Sequence, residues 1–190
     1  MQTVSHLITT LAGGRWLAQR RDKISVGWLV AGAVVPDIPF TLLTVGYEIY
    51  YRQFAALPVS GQSIMEYLHF DLFFNDPLWI VSHNLFHSLI INGFLMLMAL
   101  TLFKGRRWGR GLFWFAVGAT IHTIIDILTH HSDGPLFLFP LNWHYRFASP
   151  VSYWEEGFYG RQFMVFEYTM NLLALLYLGR LWLRGRQARR

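Results

Sequence analysis

Residues 111–128 read GLFWFAVGATIHTIIDIL. The run contains no Lys, Arg or Glu, and at 1.5 Å per residue it approaches the length that crosses a ~30 Å hydrocarbon core. His122 and Asp126 nevertheless lie inside it, four residues apart and so on one face of a helix. Ionisable groups are costly in a membrane span and usually mark a function or a polar partner. Three further apolar runs extend from about Ile24 to Tyr47, Leu78 to Phe103 and Phe163 to Leu183. A fifth, Val4 to Leu17, is shorter and contains Arg15, which suits a short helix packed on the bundle or lying at the interface. The expected fold is therefore all-α: an integral membrane helical bundle of four clear transmembrane helices plus one short N-terminal helix.

Composition agrees with that reading. The 190 residues are 54% hydrophobic and 14% charged, with a mean hydropathy of +0.32, whereas soluble domains carry about 25% charged residues. Sixteen Phe, nine Tyr and eight Trp suit aromatic belts at two membrane interfaces. Cysteine is absent, which excludes disulfides, thiolate metal sites and cysteine nucleophiles. No polar linker divides the chain, so residues 1–190 are expected to form one membrane-embedded domain, with long connections at 48–77 and 131–160. The N-terminal stretch lacks a basic n-region and an A-x-A site, and is expected to remain in the mature protein.

The formal charge of +5 is bunched at Arg20, Arg21 and Lys23, at Lys104 to Arg110, and at Arg180 to Arg190. Each cluster flanks an apolar run, the positive-inside pattern, rather than forming the continuous basic face of a nucleic-acid binder. Alternating helices put all three clusters on one face, which predicts a multi-pass inner-membrane protein with a cytoplasmic C-terminus. Both long connections then face outward. The lipid bilayer is the one partner this implies; nucleic acid is not expected, and no protein partner can be named.

The buried polar residues converge by depth. Asp37 lies 14 residues beyond Lys23, roughly 21 Å along a helix; His87 lies roughly 25 Å from Lys104. His122 and Asp126 lie roughly 18–24 Å above Arg110, and His6 falls at roughly 22 Å from Arg21. His83 and His87 form a second i,i+4 pair, and His130 would extend the His122/Asp126 stripe if that helix continued. Imidazole and carboxylate without sulfur suit zinc, with manganese or iron as alternatives. The candidate metal ligands are His6, Asp37, His83, His87, His122, Asp126 and His130, with Asp37 and Asp126 also the candidate catalytic carboxylates, able to bridge two metals or orient a metal-bound water, and Asp37 able to act as its base. Arg146, in the second long connection, is placed to meet an anionic substrate.

Each signal has a plainer reading. Asp37 after Pro36 could cap a half-helix, and either His pair could be hydrogen-bonded glue between helices. Asp76 before Pro77 reads as an N-cap. His69 and Asp71 read as solvated loop residues, His144 as interfacial, and one of His130 and His131 as the same.

These residues also resemble a known family, the YdjM-type bacterial membrane-bound proteins described as metal-dependent hydrolases. Its pattern has an early His, matched by His6, and a Pro-Asp-x-Asp-His segment begun by Pro36-Asp37-Ile38. A His-Arg-Gly-x-Thr-His-Ser segment is closed by His87-Ser88. A His-x3-Asp helix is matched by His122 to Asp126 and leads into Gly134-Pro135-Leu136, Pro140, Arg146 and Pro150. The resemblance covers roughly residues 1–150 and implies a hydrolase. Pro39 and Phe40 stand where the family offers a second Asp and a His, and His83 to His87 is one residue tighter and lacks the Arg, which leaves the number of metal ions open. The His-x3-Asp element is also similar to that of zinc-dependent phospholipases C and related nucleases, which would imply phosphoester hydrolysis.

Three functions follow as expectations. The first is a metal-dependent hydrolase acting on a lipid or lipid-linked phosphoester near the outer face. The second is a non-enzymatic metal- or proton-handling membrane protein that uses the same residues. The third is bis-histidine haem b, with His83 or His87 opposite His122.

Overall fold

The computed structural model describes residues 1–153 and 155–187. Its regular elements are helical: α1 (Thr3–Ala18), α2 (Val26–Val34), α3 (Asp37–Gln53), α4 (Ile64–Glu66), a π-helix (Tyr67–Leu72), α5 (Phe73–Asn75), α6 (Pro77–Asn84), α7 (Leu89–Leu100), α8 (Arg107–Thr129) and α9 (Gly160–Gln187). Arg189 and Arg190 of the last basic cluster lie outside the described residues. Helix α8 packs between α2 and α7; α1 packs on α2, α9 on α1, and α3 on α6.

The α2–α8 contact is a backbone crossing. A Cβ at Gly32 would lie 1.9 Å from the Phe115 carbonyl oxygen, and one at Gly118 would lie 2.0 Å from that of Leu29. Small residues at such a seam let helices approach where no hydrophobic force drives them together. The exterior is apolar, with Leu42, Phe94, Leu97, Leu172, Leu173 and Leu176 exposed. The interior is unusually polar, burying His6, Asn84, His87, Asn92, His122, Asp126 and Glu167. That inversion suits a helical protein whose outer solvent is lipid.

Two of the expected spans are broken. The run from Ile24 to Tyr47 bends by 41° between α2 and α3, where Pro36 has no N–H to continue the ladder. The run from Leu78 to Phe103 bends by 49° between α6 and α7. Asn92 Nδ2 donates to the Phe86 carbonyl (2.9 Å), and Ser88 Oγ caps α7 by accepting from Ile91 N (3.1 Å). The 135–139 strip closes the break from outside: Leu89 N donates to Phe137 O (2.9 Å), Leu136 N donates to Asn84 Oδ1 (2.6 Å), and Ser88 Oγ donates to Phe139 O.

Helix α8 is the one described helix long and apolar enough to cross a membrane, and each bent pair counts as a further span only if taken as one. The four clear spans expected are thus corrected to one clear span and up to three. The physical reasons are the two breaks and the polar content of α9, which carries Glu167 and Arg180 within the Phe163–Leu183 run. The short N-terminal segment is helical as expected. The first long connection is more ordered than a loop, because α3 runs to Gln53 and helical turns occupy Ile64–Asn75. Asp76 is the N-cap expected, its Oδ1 accepting from Leu78 N (2.8 Å) and Trp79 N (3.2 Å) with Pro77 at the first helical position.

Candidate metal centre

Three parts of the chain deliver four side chains to one place. Asp37 opens α3 just after the Pro36 break; His87 lies in the break between α6 and α7; His122 and Asp126 lie one turn apart on α8. One ligand atom from each of the four falls within 4.8 Å of the others, a group that could hold a metal ion.

The ring nitrogens decide what this group can do. His122 Nδ1 donates to the Ala33 carbonyl (2.8 Å), and His87 Nδ1 donates to the His83 carbonyl (2.5 Å). Those bonds place each neutral imidazole's proton on Nδ1 and turn the Nε2 lone pairs toward one another, 2.9 Å apart. Asp126 Oδ2 is 2.9 Å from His122 Nε2 and 3.5 Å from His87 Nε2. Asp37 Oδ1 is 3.3 and 3.4 Å from the same two atoms. Four acceptor atoms therefore face a common centre, an arrangement that repels itself unless a cation or shared protons occupy it. A ligating His that gives its other N–H to a carbonyl is the usual outer-shell arrangement of metal sites.

The carboxylates are oriented in turn. Asp126 Oδ1 accepts from His6 Nε2 (2.9 Å) and from the Met1 nitrogen (3.1 Å), while Asp37 Oδ2 accepts from Thr3 Oγ1. His6 stacks on His122 at 3.8 Å between ring centroids. Its Nε2 thus faces Asp126 rather than the common centre, and it stands outside the four-residue group.

Two other candidates also fall outside. The helix ends at Asn84, so His83 and His87 no longer share a helical face; the rings remain neighbours at 4.6 Å, but His83 points to Phe40 and Phe73. His130 is the residue after the last turn of α8, in extended conformation, and its Nδ1 donates back to the Asp126 carbonyl (3.0 Å). The stripe expected to continue to His130 therefore ends at Asp126. His69, read as solvated, lies in the π-helix with its ring perpendicular to that of Phe40, 5.9 Å between centroids.

Sequence reasoning did not single out Thr3, the Ala33 carbonyl or Glu167. Nothing in the sequence marks the first two. Glu167 was detectable as a lone acid inside an apolar run; fully buried, it accepts from Gln2 N (2.9 Å) and meets the start of α1, which has no side-chain cap of its own.

The family model described as YdjM inner membrane protein matches residues 1–188. The chain belongs to that family. No curated protein and no solved structure matches the chain. The YdjM match extends past the resemblance read from residues 1–150 and takes in α9, the helix that holds α1 through Glu167.

In this YdjM protein the 131–160 connection brings Arg146 over the rings of Phe73 (4.9 Å) and Phe74 (5.2 Å). Its Nη1 donates to the Gly134 carbonyl. Burial lowers the Arg146 pKa to about 10, against an opposing pull from Asp133, so the guanidinium is still charged at neutral pH.

Proposed function

We propose that this protein is a membrane-bound, metal-dependent hydrolase that cleaves a lipid or lipid-linked phosphoester near the non-cytoplasmic face of the inner membrane. The observation that carries the reading is the four inward-facing acceptors with both imidazole tautomers set by backbone carbonyls. Four ligands at 2.0–2.1 Å around a tetrahedral zinc lie about 3.3 Å from one another; the five separations here that involve an imidazole nitrogen run from 2.9 to 3.5 Å, and every pair lies within 4.8 Å. Zinc is accordingly the favoured ion, with manganese or iron as alternatives of similar ligand preference. A bound divalent ion would supply a water acidified toward hydroxide.

The protein's own groups divide the remaining tasks. His87, His122 and Asp126 are buried ligands held by outer hydrogen bonds. Asp37 has 24% of its side chain exposed, against none for the two histidines, and is the group able to share its corner with water and take up its proton. His6 keeps Asp126 oriented. The proposed topology is multi-pass, with the C-terminus in the cytoplasm.

The test is metal content by mass spectrometry on gently purified protein, wild type beside His122→Ala and Asp126→Ala. Near-stoichiometric metal that vanishes in both variants is expected, followed by metal-dependent turnover of a phosphoester lipid. Metal-free wild-type protein would remove the basis of the proposal.

One observation favours a second reading. The 2.9 Å between His87 Nε2 and His122 Nε2 is also a hydrogen-bond length, satisfied by one proton. A proton- or metal-handling protein would then show flux in proteoliposomes, abolished by His122→Ala. The same 2.9 Å leaves no room for an iron and a porphyrin plane between these two rings, which weighs against haem b.

A further inference from the structure

We propose that His83 and Arg146 form an anion-binding subsite beside the metal centre, which takes a phosphoryl oxyanion entering from the Asp37 side. The subsite rests on the metal-hydrolase reading for its role, but not for its existence. Arg146 is half-buried and, among the described residues, has no carboxylate within ion-pair distance. Asp133 acts on it only at longer range. One hydrogen bond, to the Gly134 carbonyl, uses one of its five donors. A desolvated guanidinium left so incompletely matched favours a bidentate anion, and its fork fits carboxylate or phosphate geometry.

His83 supplies the second observation. Its Nδ1 is buried without a hydrogen-bond partner, and a buried polar atom left so is destabilising unless a ligand meets it. The two groups are joined by a continuous wall. The Arg146 guanidinium lies on Phe73, the Phe73 ring lies 4.9 Å from that of His83, and His83 lies 4.6 Å from the ligand His87. Phe40 closes the wall from α3 at 5.3 Å from His83, three residues beyond Asp37, the one partly exposed member of the metal group. The side of the group on which Asp37 is exposed is therefore flanked by a cation, an unpartnered imidazole and rings. Phe74, on which the guanidinium also lies, is 36% exposed and offers apolar surface suited to an acyl or isoprenoid tail.

The shared chemistry is the phosphoryl oxyanion; its source is a lipid headgroup or free phosphate, and two probes separate them. Binding of inorganic phosphate and of dodecylphosphonate is measured by calorimetry on detergent-purified wild type, Arg146→Gln, His83→Ala and His83→Asn, with metal content read in parallel. The expected result is metal content unchanged in Arg146→Gln and phosphonate affinity reduced roughly 10- to 100-fold, with partial recovery in His83→Asn relative to His83→Ala. Tighter binding of dodecylphosphonate than of phosphate identifies a lipid headgroup; equal binding identifies free phosphate. Unaltered affinity in Arg146→Gln, or no phosphonate binding to wild type, overturns the subsite. Metal-free wild-type protein that still binds phosphonate through Arg146 overturns the hydrolase reading and leaves the subsite standing.

Discussion

His6 and His122 stack on each other, yet they do different things, and the difference is visible in which nitrogen faces what. His122 gives Nδ1–H to Ala33 and turns Nε2 inward, whereas His6 turns Nε2 to the outer oxygen of Asp126. A ligand and the residue that orients a ligand should respond differently to truncation. Loss of His122 removes a donor from the group outright. Loss of His6 leaves Asp126 in place with one fewer hydrogen bond, and outer-shell changes of this kind cost about 10- to 100-fold in metal affinity. His6→Ala should therefore retain metal at saturating concentration and show that loss in a competition titration against a chelator. Abolition of binding equal to that in His122→Ala would instead make His6 a direct ligand. The sequence placed His6 at the right depth; it could not say which ring nitrogen would face the centre, because that depends on the tilt of α1 against α8.

At the scale of elements, two features position the group: a close crossing and a broken helix. Helices α2 and α8 meet backbone to backbone at Gly32 and Gly118, and this contact brings the Ala33 carbonyl to His122. An added methyl at Gly32 would have to displace main-chain atoms, so Gly32→Ala should cost about 1–3 kcal/mol or more, seen as a lowered unfolding temperature together with weakened metal binding. Gly93, on α7, is the matched control, because a methyl added there would meet nothing within 4 Å; Gly93→Ala should be neutral or stabilising by up to about 1 kcal/mol. Equal behaviour of the two variants would mean that the crossing does not hold the site. The Pro36 break was legible in part, since Pro in a span is a known interruption. The break at residues 85–88 was not, because no proline marks it and its partners lie about fifty residues away, in the 135–139 strip.

For the whole molecule, the arrangement of polar interior and apolar exterior agrees with the membrane family, while the orientation is a matter of charge distribution. The basic clusters predict which face is cytoplasmic, and the absence of cysteine makes that testable with single introduced thiols. Ser60→Cys and His144→Cys should react with a membrane-impermeant maleimide on intact spheroplasts, and Arg107→Cys only after the membrane is opened. The reverse pattern would invert the proposed topology and move the candidate centre to the cytoplasmic half.

Some properties of this protein were determined by local sequence alone: the helical class, the i,i+4 apposition of His122 and Asp126 on one uninterrupted helix, and the Asp76 cap. These depend on neighbours within one or two turns, where geometry follows directly from spacing. Which histidines meet was decided only by tertiary structure. His83 and His87 have the spacing of a helical pair, but the helix stops between them, and hydrogen bonds from a distant strip hold the stop open. His87 is thereby turned toward α8 and His83 toward Phe40 and Phe73. The physical reason is that helical phase carries only as far as the helix does; beyond a break, the direction of a side chain is set by whatever satisfies the freed backbone groups.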